Sequence, residues 1–166
     1  LYELTGHDSA IINIWMNMLK NDGAYTVDAN TMSRISEIFW AGYSTEQETL
    51  ETIKSVYNDY GYVVDTHTAV GIDVYDKYVI STGDLTKTII ASTASQFKFN
   101  ESVVKAIFGE EGVAGKNEFE LLETLSEKCG IPVPKGLQGL DKKEVRHKTV
   151  CKKEDMENEV RKILGI

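Results

Sequence analysis

Residues 87–99, KTIIASTASQFKF, join an apolar run to a row of small hydroxyl residues. The apolar run is typical of a buried strand, and Ser92, Thr93 and Ser95 lie at its end. Ligands bind at the carboxyl ends of strands in open parallel sheets, so hydroxyls at this point suggest a ligand site. A hydroxyl can donate a hydrogen bond to a ring nitrogen or a phosphate oxygen. The alternative, which spacing alone favours, is a turn whose hydroxyls cap the next helix.

The first part of the chain has the apolar periodicity of helices. We expect helices over residues 9–20, after Asp28 and over residues 42–61. These three helices together predict that residues 1–60 form a helical segment. Because the chain begins at Leu1 in a helical pattern, we expect this segment to continue from a missing N-terminal part.

From residue 61 the pattern changes to alternating short strands and helices. Strands are predicted at GYVVD, KTIIAST and EVRHKTV, with helical spacing between them. Strand-helix alternation with short connections predicts an α/β fold, in which a helical N-terminal segment is followed by parallel βα units. Residues 61–166 would form this C-terminal α/β portion.

Two helix starts carry the spacing of a capping box. Ser44 and Gln47 match this motif before the third helix, and Asn117 and Glu120 match it further along the chain. These pairs predict where two helices begin.

Composition disfavours several classes of function. The 166 residues are 42% apolar and carry a net charge of −8, which suits a globular domain and disfavours binding to nucleic acid or an anionic membrane. No stretch reaches the roughly 20 apolar residues of a membrane span. Cys129 and Cys151 lack CxxC spacing and are predicted to be free thiols in a reducing cytoplasm, and the histidines show no zinc-binding spacing.

Three blocks of sequence together resemble one family. VVDTHTAVG at 63–71, IIASTASQFKF at 89–99 and NEFELLETLSEKCGIPVPKGLQGL at 117–140 are similar to the C-terminal part of threonine synthases of bacteria and fungi. The resemblance implies part of a fold-type II, tryptophan-synthase-β-like enzyme that depends on pyridoxal 5'-phosphate. Such an enzyme converts O-phospho-L-homoserine and water to L-threonine and phosphate.

The resemblance also assigns roles to the hydroxyl residues. It implies that Thr93 donates a hydrogen bond to the pyridine nitrogen of the cofactor. A hydroxyl there leaves the nitrogen largely neutral and the ring a milder electron sink than a carboxylate would. Ser92 is a weaker candidate for cofactor binding, while His67, Thr68 and Ser95 are expected near the site. We expect His67 to orient the start of a helix rather than to transfer protons.

The chain departs from the family pattern at two positions. Gln96 and Thr66 stand where the family often has proline, which leaves the loop geometry around Thr93 open. The lysine that forms the Schiff base with the cofactor lies in a motif of the N-terminal part, and Lys98 does not match it. The phosphate-binding loop is also expected upstream. These 166 residues alone are therefore predicted to be inactive and to contain no catalytic residue and no metal site.

Two alternatives remain open at this stage. The chain could be a non-catalytic α/β binding or regulatory module derived from the same fold, or part of a related phospholyase with another substrate. As an isolated chain it is expected to self-associate, because removal of the N-terminal part would bare apolar faces carrying Trp15, Phe39 and Val63.

Overall fold

The computed structural model describes residues 1–166, and all of its regular structure is helical. The eight α-helices are α1 (Ser9–Asp22), α2 (Ala29–Ile38), α3 (Glu46–Tyr60), α4 (Thr66–Thr82), α5 (Asn100–Phe108), α6 (Glu110–Val113), α7 (Glu118–Cys129) and α8 (Met156–Leu164). Four short 3-10 helices cover Glu3–Thr5, Gln96–Phe99, Leu140–Lys142 and Lys153–Asp155.

The predicted helices are confirmed, and local sequence explains their ends. The side chain of Asp28 caps α2, and the left-handed backbone of Gly23 (φ 76°) ends α1. The capping box of Asn117 and Glu120 is present at the start of α7.

The capping box predicted at Ser44 and Gln47 is wrong by one residue. Thr45 is the N-cap of α3, and its hydroxyl accepts from the Glu48 N–H at 3.3 Å while the Glu48 carboxylate accepts from the Thr45 N–H at 2.7 Å. Glutamate completes this motif because its carboxylate accepts strongly from a backbone N–H.

The predicted α/β fold is wrong. The structure contains no strand and no sheet, and the three segments predicted as strands are irregular. Residues 62–65 form a short link between α3 and α4, residues 83–95 form a longer connection, and residues 144–150 belong to the segment before α8.

The physical reason is that β-propensity reports how well a residue packs on a sheet, not whether a sheet exists. A strand also needs neighbours for its backbone N–H and C=O groups. Val63 and Val64 are both buried, as in a strand of a parallel sheet, yet they form no strand, so burial alone does not indicate a sheet. Ile89, in contrast, is 93% exposed.

The chain divides into two compact units, residues 1–115 and 116–166. In the first unit α3 packs against α4 and α5, and α5 packs against α6 and the 3-10 helix over residues 96–99. The buried apolar residues of this unit are Trp15, Ile53, Val63, Val64, Ala69, Phe97, Val103, Val104 and Ala106. The prediction that Trp15 and Val63 would be bared is therefore wrong, because they are only 4% and 5% exposed; Phe39 is 63% exposed.

The second unit contains α7, a long irregular segment and α8. Buried leucines on α7 recur at helical spacing, namely Leu121, Leu122 and Leu125. The predicted boundary at residue 60 stays a prediction; α3 and α4, on either side of it, lie in the same unit. None of the helices combines the length and apolar character that a membrane span requires.

Candidate functional site

Asp65 organises the start of α4. It is the N-cap of this helix, and its Oδ1 accepts hydrogen bonds from the backbone N–H groups of His67, at 2.8 Å, and Thr68, at 3.2 Å. Its Oδ2 accepts from the hydroxyl of Thr68. Asp65 is only 1% exposed, so these three donors compensate for its removal from water.

The connection that carries the predicted hydroxyls runs past this helix start. Thr68 Oγ1 lies 3.2 Å from the hydroxyl oxygen of Ser92. Three residues further along α4, Gly71 leaves room for Ile90, since a Cβ at Gly71 would lie 3.3 Å from Ile90 Cγ2. Ile90 and Ser92 thus both face α4, as alternate residues of an extended segment do.

The hydroxyl of Thr93 is uncommitted. Thr93 is exposed, as are Ala91 and Ser92 before it, but unlike that of Ser92 its hydroxyl makes no hydrogen bond within the chain. Its hydroxyl proton is therefore not committed to a neighbouring group of this chain.

A short 3-10 helix holds the residues that follow Thr93. Ser95 is its N-cap, and its hydroxyl accepts from the Phe97 N–H at 3.3 Å. Phe97 is buried in the core, and Phe99 meets the ring of His67 edge to face, with 4.9 Å between ring centroids. The loop is thus anchored on both sides of Thr93.

The structure brings most of the predicted residues together around the start of α4. Thr68 contacts Ser92, the ring of His67 contacts Phe99, and Ser95 caps the adjacent turn, with Thr93 between Ser92 and Ser95 in the chain. Their roles toward a ligand stay predictions.

Sequence reasoning missed Asp65, which holds the helix start. The signal was available, because an aspartate three residues before a threonine marks a helix start at both Asp65–Thr68 and Asp28–Thr31.

The two departures from the family pattern both fall at first positions of helices. Thr66 follows the N-cap Asp65, and Gln96 follows the N-cap Ser95. Proline is favoured at this position because the N–H it lacks would be unpaired in any case. Another residue there is therefore compatible with the same helix start.

The start of α4 is not an open site for an anion. The N–H groups of His67 and Thr68 already donate to an acidic side chain, so they are not free to hold a phosphate or another anion. The hydroxyl of Thr93 can instead serve an acceptor such as a ring nitrogen. No group of three or more His, Cys, Asp or Glu side chains is arranged to hold a metal ion.

A cluster of charged groups lies elsewhere, between α3 and α4. Lys77 Nζ lies 2.8 Å from Glu48 Oε1 and 2.7 Å from Asp73 Oδ2, and it donates to the Tyr43 carbonyl at 3.0 Å. The bond to Lys77 lowers the pKa of Glu48 from 4.5 to about 2, and bonds to Asp73 and Glu48 raise the pKa of Lys77. This cluster joins two helices, one of which carries the candidate site.

Solved structures of threonine synthases contain a similar fold. The yeast threonine synthase structure aligns over 99% of this chain and 33% of its own, with a TM-score of 0.71 and 26% identity. The PLP-bound threonine synthase from Brucella melitensis aligns over 75% of this chain and 25% of its own, with a TM-score of 0.55 and 30% identity. The fold of the chain is thus similar to part of these threonine synthase structures.

The sequence defines the family more closely. Residues 68–163 match the family described as threonine synthase, C-terminal. The chain therefore belongs to the threonine synthase family. It is 31% identical over 128 residues to threonine synthase of Saccharomyces cerevisiae, which covers 71% of this chain and 25% of that protein. The chain thus spans about a quarter of the length of this relative.

Proposed function

We propose that this chain is the C-terminal part of a pyridoxal-phosphate-dependent threonine synthase. The complete enzyme would convert O-phospho-L-homoserine and water to L-threonine and phosphate in the cytoplasm. When bound, the cofactor would supply an electron sink for elimination and replacement on the substrate. The contribution of these residues would be to hold and orient the cofactor ring.

One observation carries the assignment of the site: the uncommitted hydroxyl of Thr93 lies on a loop that is anchored on both sides. A fixed hydroxyl can donate to a ring nitrogen without first being ordered, which limits the entropic cost of binding. Ser95 and Ser92 have partners within the chain. Thr93 is therefore the preferred donor.

Other parts of the active site would come from elsewhere in the protein. The acid-capped start of α4 does not offer an anion site, which supports a separate cradle for the cofactor phosphate. The lysine that binds the cofactor would also lie outside these residues, so we expect the 166 residues alone to be inactive. His67 would act through its contact with Phe99 rather than as an acid or base.

The test uses the full-length protein with O-phospho-L-homoserine and measures threonine and phosphate formation. Thr93→Val keeps the shape of the side chain and removes the donor, leaving the ring nitrogen unpaired. We expect a loss of about 1–3 kcal/mol in cofactor binding or turnover. Thr93→Ser keeps the hydroxyl and should retain most of both.

Each alternative function predicts a different result in this experiment. Wild-type protein that forms neither threonine nor phosphate but binds a ligand would favour a non-catalytic module. Turnover of a different phosphorylated substrate would favour a related phospholyase. Thr93→Val with unchanged cofactor affinity and turnover would show that the hydroxyl has no role in the site.

A further inference from the structure

We propose that Asp65, Thr68 and Ser92 form a positioning unit that fixes the loop of residues 92–99 and leaves Thr93 as the hydroxyl donor. Asp65 and Thr68 would be positioning residues, since they act through Ser92 and the loop. The proposal rests on the proposed function, because it concerns the loop that would hold the cofactor ring.

The hydroxyl of Thr68 links the helix cap to the loop. It donates to the carboxylate of Asp65 and also lies 3.2 Å from the hydroxyl oxygen of Ser92, which accepts from it. The single hydrogen of Thr68 is therefore shared between these two acceptors, so the position of Thr68 is tied to both Asp65 and Ser92.

The contact separates two neighbouring hydroxyls that sequence alone cannot distinguish. Ser92 is engaged by Thr68, whereas the hydroxyl of Thr93 has no partner within the chain. A ring nitrogen without a proton needs a donor, and the uncommitted hydroxyl of Thr93 can supply it. The unit thus holds Ser92 in place beside α4 and leaves Thr93 available to the nitrogen.

The same unit fixes the position of the loop. Ser92 is tied to Thr68 on one side of Thr93, and the buried Phe97 holds the other side. Loss of the link at Ser92 would release one of the two sides while leaving the core contact intact.

The start of α2 provides a matched control. Asp28 accepts from the backbone N–H of Thr31 at 2.9 Å and from its hydroxyl at 2.7 Å, which repeats the arrangement of Asp65 and Thr68. The hydroxyl of Thr31 makes no hydrogen bond to a third residue. Thr31→Val therefore removes the same kind of cap bond without touching the loop.

The first experiment measures amide hydrogen exchange at Phe97 and Lys98 in the cofactor-free, full-length protein. Both amides are hydrogen-bonded to Ser95 in the anchored loop. Ser92→Ala leaves the Asp65 cap intact and should speed their exchange about fivefold to tenfold, as expected for the loss of one hydrogen bond. Thr68→Val should act in the same direction, Thr68→Ser should restore slow exchange, and Thr31→Val should change nothing.

The second experiment measures the absorption maximum and dissociation constant of bound pyridoxal phosphate. Ser92→Ala should weaken binding by a similar factor and leave the absorption maximum in place, because the donor to the ring is intact. Thr93→Val should shift the maximum and leave the exchange of Phe97 and Lys98 unchanged.

Failure of the two ideas can be distinguished. Unchanged exchange in Ser92→Ala would overturn the positioning unit even if Thr93→Val weakens cofactor binding. A shifted absorption maximum in Ser92→Ala, with none in Thr93→Val, would show that Ser92 meets the cofactor ring and would overturn its assignment to the positioning unit. If no variant affects cofactor binding while exchange responds as expected, the loop is anchored as described but the proposed cofactor contact is wrong.

Discussion

Proline is tolerated at the first position of a helix because the N–H it lacks has no partner there. Thr66 and Gln96 occupy such positions, and the residues before them have the extended backbone that proline requires, with ψ of 168° at Asp65 and 140° at Ser95. Thr66→Pro and Gln96→Pro should each raise the free energy of unfolding by about 0.4–1 kcal/mol, since proline restricts the unfolded chain. Urea unfolding of the wild-type chain and of each variant measures this change in the free energy of unfolding.

Thr66→Ala and Gln96→Ala are the controls, because they remove the native side chain without adding the ring. Destabilisation by proline but not by alanine would mean that the backbone at these positions is not that of a helix start.

At the residue scale, the sequence pointed to residues of one neighbourhood but did not settle their chemistry. At the start of α4, Thr68 contacts Ser92 and His67 contacts Phe99, and their roles toward a ligand stay predictions. The spacing between Asp65 and Thr68 could have predicted that Asp65 caps α4. The sequence could not show whether Ser92 or Thr93 is the available hydroxyl donor. This depends on which of the two hydroxyls contacts Thr68, a residue 24 positions earlier in the chain.

At the scale of elements, the contact between α3 and α4 depends on Lys77. The pKa of Glu48 is lowered to about 2 because Lys77 stabilises its charged form. A carboxyl whose pKa falls on folding adds stability that is complete above its unfolded pKa, near 4.5, and is lost as pH falls toward 2. Lys77→Met should therefore lower stability at neutral pH, and its difference from wild type should shrink between pH 4.5 and 2 in urea titrations.

Lys54→Met is the matched control, since Lys54 is exposed on α3 and forms no ion pair. It makes the same change in charge and should leave the acid dependence almost unaltered. A wild-type protein whose stability is constant from pH 5 to pH 2 would contradict the role assigned to Glu48.

Helices were predictable at this scale because their signals are local. Apolar periodicity, an N-cap such as Asp28 and a terminal glycine such as Gly23 lie within one stretch of chain and are satisfied there. The predicted strands failed because a sheet depends on partners distant in sequence. Residues 87–93, KTIIAST, have the composition of a strand but form none. Their side chains still alternate as in an extended segment: Ile90 lies toward α4, and Ile89 is exposed to solvent.

At the scale of the whole molecule, exposed apolar side chains should make the isolated 166-residue chain self-associate. Phe39 is 63% and Ile89 93% exposed, and burying apolar surface gains about 25 cal/mol per Å². The net charge of −8 opposes association, but salt screens it beyond about 8 Å at physiological ionic strength. Sedimentation at several protein concentrations should show a mass that rises with concentration.

Ile89→Lys should shift this equilibrium toward the monomer, because it removes the most exposed isoleucine of the connection before the candidate site. Thr88→Lys makes a matched control: Thr88 is the neighbouring exposed residue, and its replacement adds the same charge without removing apolar surface. An equal shift in both variants would assign the effect to charge instead. A wild-type chain that stays monomeric at high concentration and binds no hydrophobic dye would show that the exposed apolar residues do not form a cohesive surface.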